Sequence, residues 1–224
     1  MDFIFMLTHH DKTVDNCLDV FDQVRDVGLT HVGFKDVGAD LATLRLLTAR
    51  IRSSGAISYV EVVSTTPDTI RSSIIAAAEL GVDRVLGGQE TTFALTSFAG
   101  LPVKYYPFPG LPMGHPTRLY GDPARIEADC RAAIAAGCPG VDLLAYRAEE
   151  ADPVELIRAA RRGLGDDGYL IVAGSIDSPE RIRAVKASGA SAFTIGSAIF
   201  EEAFAPGVKG VRGQCEAVLA ALAR

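Results

Sequence analysis

Lys35 and Glu61 are 26 residues apart, and each closes a short β-rich run: Val32-Gly33-Phe34-Lys35 and Tyr59-Val60-Glu61-Val62. Side chains alternate along a strand, so if the bulky apolar residues of these runs face one way, Gly33, Lys35, Tyr59 and Glu61 face the other. A lysine and a glutamate held together in a partly dry pocket can act as carbonyl polariser and base, because desolvation moves both groups towards neutrality. The competing reading is a structural ion pair that caps a core. A second constellation is Gly174-Ser175 and Gly196-Ser197, each at the end of an apolar run. Glycine lets a backbone approach a ligand closely, and amides opening a short helix over 198–203 favour an anion. The alternative is that these glycines serve tight turns. His115, in the Pro/Gly-rich stretch Pro109–Asp122, is a candidate acid or base that is otherwise a solvated loop residue. His9, His10 and Asp11 are potential metal ligands, but no HxxE, HExxH or HxH spacing supports a metal, and none is assigned. His31 opens the second run, at the opposite end from Lys35, and is read as structural. Lys104 and Asp142 form a second cation–carboxylate pair, placed near strand starts and read as structural.

These residues need elements to position them, and the elements come at a beat. The chain has 224 residues, or eight units of 28. Strand-like runs are expected at Phe3–Thr8, His31–Val37, Ile57–Val63, Arg84–Gly88, Val103–Phe108, Val141–Tyr146, Tyr169–Gly174 and Ala192–Gly196. Helical periodicity falls between them, at Val14–Val27, Leu41–Ser53, Pro67–Leu80, Pro123–Ala136 and Pro153–Arg162. Four helices open on a capping side chain followed by proline: Thr66-Pro67, Asp122-Pro123, Asp152-Pro153 and Ser178-Pro179. The side-chain oxygen accepts from an orphan amide, and proline occupies a first turn that needs no donor. Asp152 and Glu155 have capping-box spacing. Gly28, Gly55, Gly81, Gly137 and Gly189 sit where helices should end. Alternating strands and helices require a parallel sheet with right-handed crossovers, and eight units close into a single (β/α)8 barrel domain over residues 1–224. A doubly wound open sheet is the less favoured arrangement, since no GxGxxG opening occurs.

Composition narrows the function. Apolar residues make up 48% and charged residues 22%, as in ordinary globular chains, with 28 acidic and 22 basic residues for a net charge of −6. No Lys/Arg-rich run is present, which argues against a nucleic-acid partner. No apolar run reaches membrane-spanning length, and Met1-Asp2-Phe3-Ile4-Phe5 lacks a basic leader region. Cys17, Cys130, Cys138 and Cys215 show no CxxC spacing, consistent with a reducing, cytoplasmic setting. An apolar outer helix face would pair barrels into a homo-oligomer, but no helix shows an unambiguous excess patch.

The run Val172-Ala173-Gly174-Ser175 together with Thr194-Ile195-Gly196-Ser197 resembles the phosphate-binding (ribulose-phosphate-binding) barrel superfamily of sugar-phosphate isomerases and epimerases. The resemblance implies a (β/α)8 barrel whose strand-seven and strand-eight ends, here Gly174, Ser175, Gly196 and Ser197, hold a substrate phosphate. It covers about residues 170–200 specifically. The chain departs from individual members: Ala173 replaces the glutamate of the hexosamine epimerases, the metal-binding His-x-Asp strand end of ribulose-phosphate epimerase is missing, and no lysine ends strand six. The expectation is therefore an isomerase or epimerase of a small phosphorylated sugar, needing no cofactor. In it Glu61 moves a proton, Lys35 stabilises an enediolate and His115 shuttles a proton. A carbon–carbon lyase on the same substrate class, or a non-catalytic phosphometabolite sensor, are the alternatives.

Overall fold

The computed structural model describes residues 1–114 and 116–223. Eight parallel strands form one sheet: β1 Asp2–Met6, β2 His31–Lys35, β3 Ile57–Val62, β4 Arg84–Gly87, β5 Lys104–Tyr106, β6 Gly140–Leu143, β7 Tyr169–Val172 and β8 Ala192–Ile195. Their spatial order is β6-β7-β8-β1-β2-β3-β4-β5. The Asp142 amide donates to the Pro107 carbonyl at 3.1 Å, which joins β6 to the chain leaving β5 and closes the circle. Helices α1 Cys17–Val24, α2 Leu41–Ser53, α3 Pro67–Leu80, α4 Thr91–Ser97, α5 Pro123–Ala135, α6 Pro153–Leu164, α7 Pro179–Ala187, α8 Ser197–Phe200 and α9 Gly210–Leu222 follow the strands. This is a (β/α)8, or TIM, barrel.

The four proline-started helices begin at the residues expected. Asp122, Asp152 and Ser178 each accept a hydrogen bond from an amide in the first turn. Thr66 makes no such cap; its hydroxyl meets that of Thr69 at 2.6 Å instead. The Glu155 carboxylate pairs with Arg158 rather than reaching back, so Asp152 caps α6 without a reciprocal box. The five expected helix-end glycines all adopt positive φ, from +69° to +97°. Helix α1 is shorter than its periodicity suggests. Residues Lys12–Thr13 turn back on Thr8–His9 as a two-stranded hairpin, and the Val14 amide bonds to the Leu7 carbonyl. The Pro/Gly-rich stretch after β5 contains a second hairpin, Leu111–Met113 against Arg118–Tyr120.

Side-chain alternation divides the core. Phe5, Phe34, Val60, Val85 and Val172 pack outwards under the helices, and Ile4, Met6, Tyr59, Leu86, Tyr106, Ile171 and Ala192 fill the barrel. At the strand starts the interior is plugged by Arg84, whose guanidinium lies 4.9–5.8 Å from the ring centres of Tyr59, Tyr106 and Tyr169. Arg84 donates to the Tyr59 hydroxyl at 2.8 Å, and His31 Nδ1 lies 2.7 Å from that same oxygen. His31 therefore belongs to the plug, as expected of a structural residue. Such cation–π and hydrogen-bond contacts fill the bottom of the barrel, leaving the strand ends for other groups.

The Lys104–Asp142 pair is not formed. Lys104 is exposed at the start of β5, whereas Asp142 is the third residue of β6 and lies wholly inside the barrel. Counting from the start of the sequence run placed Asp142 one layer too low.

The capping contrast is testable by chemical denaturation. Asp152→Ala should cost about 1 kcal/mol, as the loss of a functioning N-cap does, and Thr66→Ala clearly less.

Candidate active site at the barrel mouth

β2 and β3 pair in register with Lys35 opposite Glu61 and Gly33 opposite Tyr59. Both charged side chains project into the barrel, and Lys35 Nζ stands 3.3 Å from Glu61 Oε1. The expectation that these residues meet at the mouth is met. A closer partner is Asp11, whose Oδ1 accepts from Lys35 Nζ at 2.7 Å. Arg147 Nη1 and Nη2 donate to the two Asp11 oxygens at 2.7 and 2.6 Å, a bidentate fork. Lys35, Glu61 and Asp11 expose 5–8% of their surface. Burial acts to raise the Asp11 pKa, but the hydrogen bonds from Arg147 and the charge of Lys35 outweigh it and hold the carboxyl well below the ordinary range. Thr13 fixes the strand end beneath: its hydroxyl donates to the Lys35 carbonyl at 2.8 Å and accepts from the Lys35 amide at 2.9 Å.

Asp11 reaches this position through an unusual backbone. It and His10 are the two turn residues of the first hairpin, with φ of +61° and +48°. Two-residue hairpin turns of this hand normally use Asn-Gly, and non-glycine residues there carry strain. That strain turns the Asp11 carboxylate inward between two cations.

Asp142 completes the group from β6. It is fully buried, and neither carboxylate oxygen has a hydrogen-bond partner among the described residues. Burial pushes its pKa well above the ordinary range and the charge of Glu61 adds to this, while Lys35 and Arg147 offset it in part. The carboxyl thus favours its protonated form.

A cavity of about 140 Å³ opens above Lys35, Glu61, Asp11 and Arg147, and its far wall is Gly174-Ser175 and Gly196-Ser197-Ala198. The four residues singled out on β7 and β8 are thus brought to one cavity with Lys35 and Glu61. Glycine at two of them also serves close packing against neighbouring protein atoms. A Cβ on Gly174 would lie 2.7 Å from Arg147 Cγ, and one on Gly196 would lie 2.4 Å from Thr8 Oγ1 and 2.8 Å from the Thr8 carbonyl oxygen. Ser175 adopts φ +50°, and its carbonyl accepts from Arg181, which also pairs with Asp177 at 2.9 Å and stacks on Tyr146 at 5.1 Å. Gly196 precedes α8, so the Ser197 and Ala198 amides are first-turn donors with no intrahelical acceptor.

His115 lies outside the described residues. In the sequence Asp11 reads only as a potential metal ligand, Arg147 is not singled out, and Asp142 is misplaced. Arg147 follows β6 on a 3₁₀ turn, Ala145–Arg147, which no periodicity announces. The signal for Asp11 was its position between a strand end and a short helix, which is where a hairpin turn can aim a carboxylate inward. His9 and His10 do not join the Lys35 cluster; His9 Nε2 meets Glu201 Oε1 at 3.2 Å on the outer rim. All four cysteines are buried and free. Among the described residues no helix is long and apolar enough to cross a membrane.

The fold and this mouth define a TIM barrel with a buried cluster of charged side chains under the loops after β7 and β8. No family model matches the sequence, and no curated protein does. Solved structures do. A native KDPGal aldolase superposes with a TM-score of 0.69 at 14% identity over 100% of this chain and 97% of its own. Orotidine 5'-phosphate decarboxylase from Pyrococcus horikoshii OT3 gives 0.67 at 14% identity over 99% of both chains. FabK from Thermotoga maritima gives 0.59 at 17% identity over 87% of this chain and 58% of its own. At these identities the likeness establishes the fold.

Two pH dependences follow. Asp11 titrates lower in the folded chain than in the unfolded one, so its contribution to stability is full above the ordinary aspartate range and is lost as pH falls below it. Asp142 titrates higher when folded, so the native state is penalised as pH rises above that range. Asp142→Asn should therefore raise the unfolding free energy at neutral pH, with the difference shrinking towards pH 4. Denaturant titrations of both proteins across pH measure this, and an unchanged or enlarged difference at low pH would contradict the assignment.

Proposed function

We propose that this protein is a carbon–carbon lyase, of aldolase or decarboxylase type, acting on a small phosphorylated sugar or sugar acid. The observation that carries the reading is the dry Asp11–Lys35–Glu61 cluster facing, across one small cavity, the backbone turns after β7 and β8. Lys35 donates a hydrogen bond to Asp11 and pairs ionically with Glu61, and its ammonium is the cation placed to stabilise an oxygen that becomes anionic in the reaction. In a retro-aldol cleavage Glu61 accepts the proton of the hydroxyl whose carbon–carbon bond breaks. The electron pair of that bond moves onto the carbonyl as an enolate beside Lys35, and proton return to the enolate carbon completes the turnover. Asp11 is a positioning residue: it bonds both Lys35 and Arg147 and so fixes them relative to each other. Gly174, Ser175, Gly196 and Ser197 hold the phosphate through backbone amides and hydroxyls. Two of the similar structures, KDPGal aldolase and orotidine 5'-phosphate decarboxylase, are lyases, which supports this reading over simple isomerisation.

An isomerase or epimerase would use the same enolate, with Glu61 taking a proton from carbon instead of oxygen. The proximity of Glu61 to Lys35 in the cavity suits that chemistry as well. Solvent deuterium separates the two: label entering recovered, uncleaved sugar phosphate in full turnover marks an isomerase, whereas a shorter product or released carbon dioxide marks the lyase.

The first measurement is a thermal-shift panel of phosphorylated sugars and sugar acids, each stabilising compound then being incubated and analysed by mass spectrometry. At least one phosphorylated compound should stabilise and be cleaved, and its unphosphorylated counterpart should do neither. Failure of every phosphorylated compound to stabilise the protein sinks the reading. Glu61→Gln and Lys35→Met should each lower turnover by about 100-fold or more with the fold retained by circular dichroism. Losses of only a few-fold would mean that the acid and base lie elsewhere.

A further inference from the structure

The first hairpin and the turn after α8 bring together three metal-ligating side chains that the catalytic cluster does not use. His9, His10 and Glu201 each offer one donor atom, and all three atoms lie within 4.8 Å of one another. Adjacent residues on a strand normally point to opposite faces. Here the positive φ of His10 folds its ring back onto that of His9, with ring centroids 3.7 Å apart. His9 Nε2 stands 3.2 Å from Glu201 Oε1. Two ligands on a tetrahedral zinc, each at about 2.0–2.1 Å, are about 3.3 Å apart, so this edge already has coordination spacing. The His10 ring closes the triangle with a modest side-chain rotation, and it forms no hydrogen bond among the described residues that would oppose this.

We propose that His9, His10 and Glu201 form a binding site for a divalent transition metal of the zinc class. Two imidazoles and one carboxylate favour zinc, cobalt or nickel over magnesium or calcium, which prefer oxygen ligands. His10 and Glu201 are exposed and His9 half-buried, so at least one coordination position opens to solvent. The metal would tie the hairpin after β1 to the turn after α8. That connection already exists in outline, since the His10 amide donates to Ser197 Oγ at 3.3 Å. It would thereby couple two elements of the barrel rim: the hairpin that carries Asp11, and helix α8, which Ser197 opens. The site is independent of whether the cavity takes a phosphorylated substrate.

The test uses the metal alone. The intact protein, stripped with chelator and titrated with zinc by calorimetry, should bind one equivalent per chain. Cobalt in its place should give the visible absorption of a protein-ligated ion, which zinc bleaches. His9→Ala, Glu201→Gln and His10→Asn should each weaken zinc binding by at least about tenfold; Asn at position 10 keeps a residue tolerant of the left-handed turn. Melting temperatures of the metal-free variants should match the metal-free wild type, and zinc should raise the melting temperature of the wild type only. No cobalt band, or zinc binding unchanged by all three substitutions, would overturn the proposal and leave His9–Glu201 as a surface ion pair.

Discussion

Lys35 is a buried cation, and the upper half of the barrel is arranged around it. An ammonium taken out of water needs carboxylates within hydrogen-bond reach, and removing one partner from such a buried pair costs about 3–5 kcal/mol. Asp11 at 2.7 Å and Glu61 at 3.3 Å supply that charge, and Asp11 in turn needs the Arg147 fork to be fully satisfied. Each requirement dictates local structure. Asp11 is in place only because the hairpin accepts two left-handed non-glycine residues, and Arg147 fits only because Gly174 has no side chain. Strain and close packing thus concentrate at the same end of the molecule.

The barrel separates two kinds of polar burial. At the strand starts Arg84 sits among tyrosine rings and hydroxyls, a satisfied plug with aromatic faces for a counter-charge. At the strand ends the charges are ionic and crowded, and one buried carboxyl, Asp142, has no hydrogen-bond partner among the described residues. The hydrophobic layer between, with Ile4, Met6, Leu86 and Ile171, insulates one from the other. Gly33 has its place in that layer, since a Cβ there would lie 2.5 Å from Met6 Sδ. The two ends of the barrel are thus distinguished here in side-chain type, aromatic and satisfied below, ionic and crowded above.

How much was legible in the sequence follows from how local each signal is. The four proline-started helices were read to the residue because a proline in the first turn is a local signal, whereas the start of α1, with no such signal, was placed three residues early. Strand direction and the Lys35–Glu61 register were read because alternation is strict and the unit length nearly constant. Asp142 was misread because depth in a barrel depends on where a strand's pairing begins, which β6 and its neighbours decide jointly. Asp11 and Arg147 are 136 residues apart in sequence and meet through a tight turn and a 3₁₀ segment. Neither has a period, so no pattern could pair them. The glycines after β7 and β8 were found from their spacing, but spacing shows where a side chain is missing and not which protein atoms occupy its space.

The join between β5 and β6 has a mechanical meaning. Seven neighbouring strand pairs are laced by ladders of bonds, whereas this one is fastened, among the described residues, by the Asp142 amide to the Pro107 carbonyl. The barrel is therefore a rolled sheet with a zipper at one side, and the teeth of that zipper are set in the residue whose side chain is the buried acid. Opening the seam and exposing that acid to water are one motion. The cut points of a permuted or split chain that respected this architecture would fall in the long connection between Pro107 and Pro123, where the roll already ends.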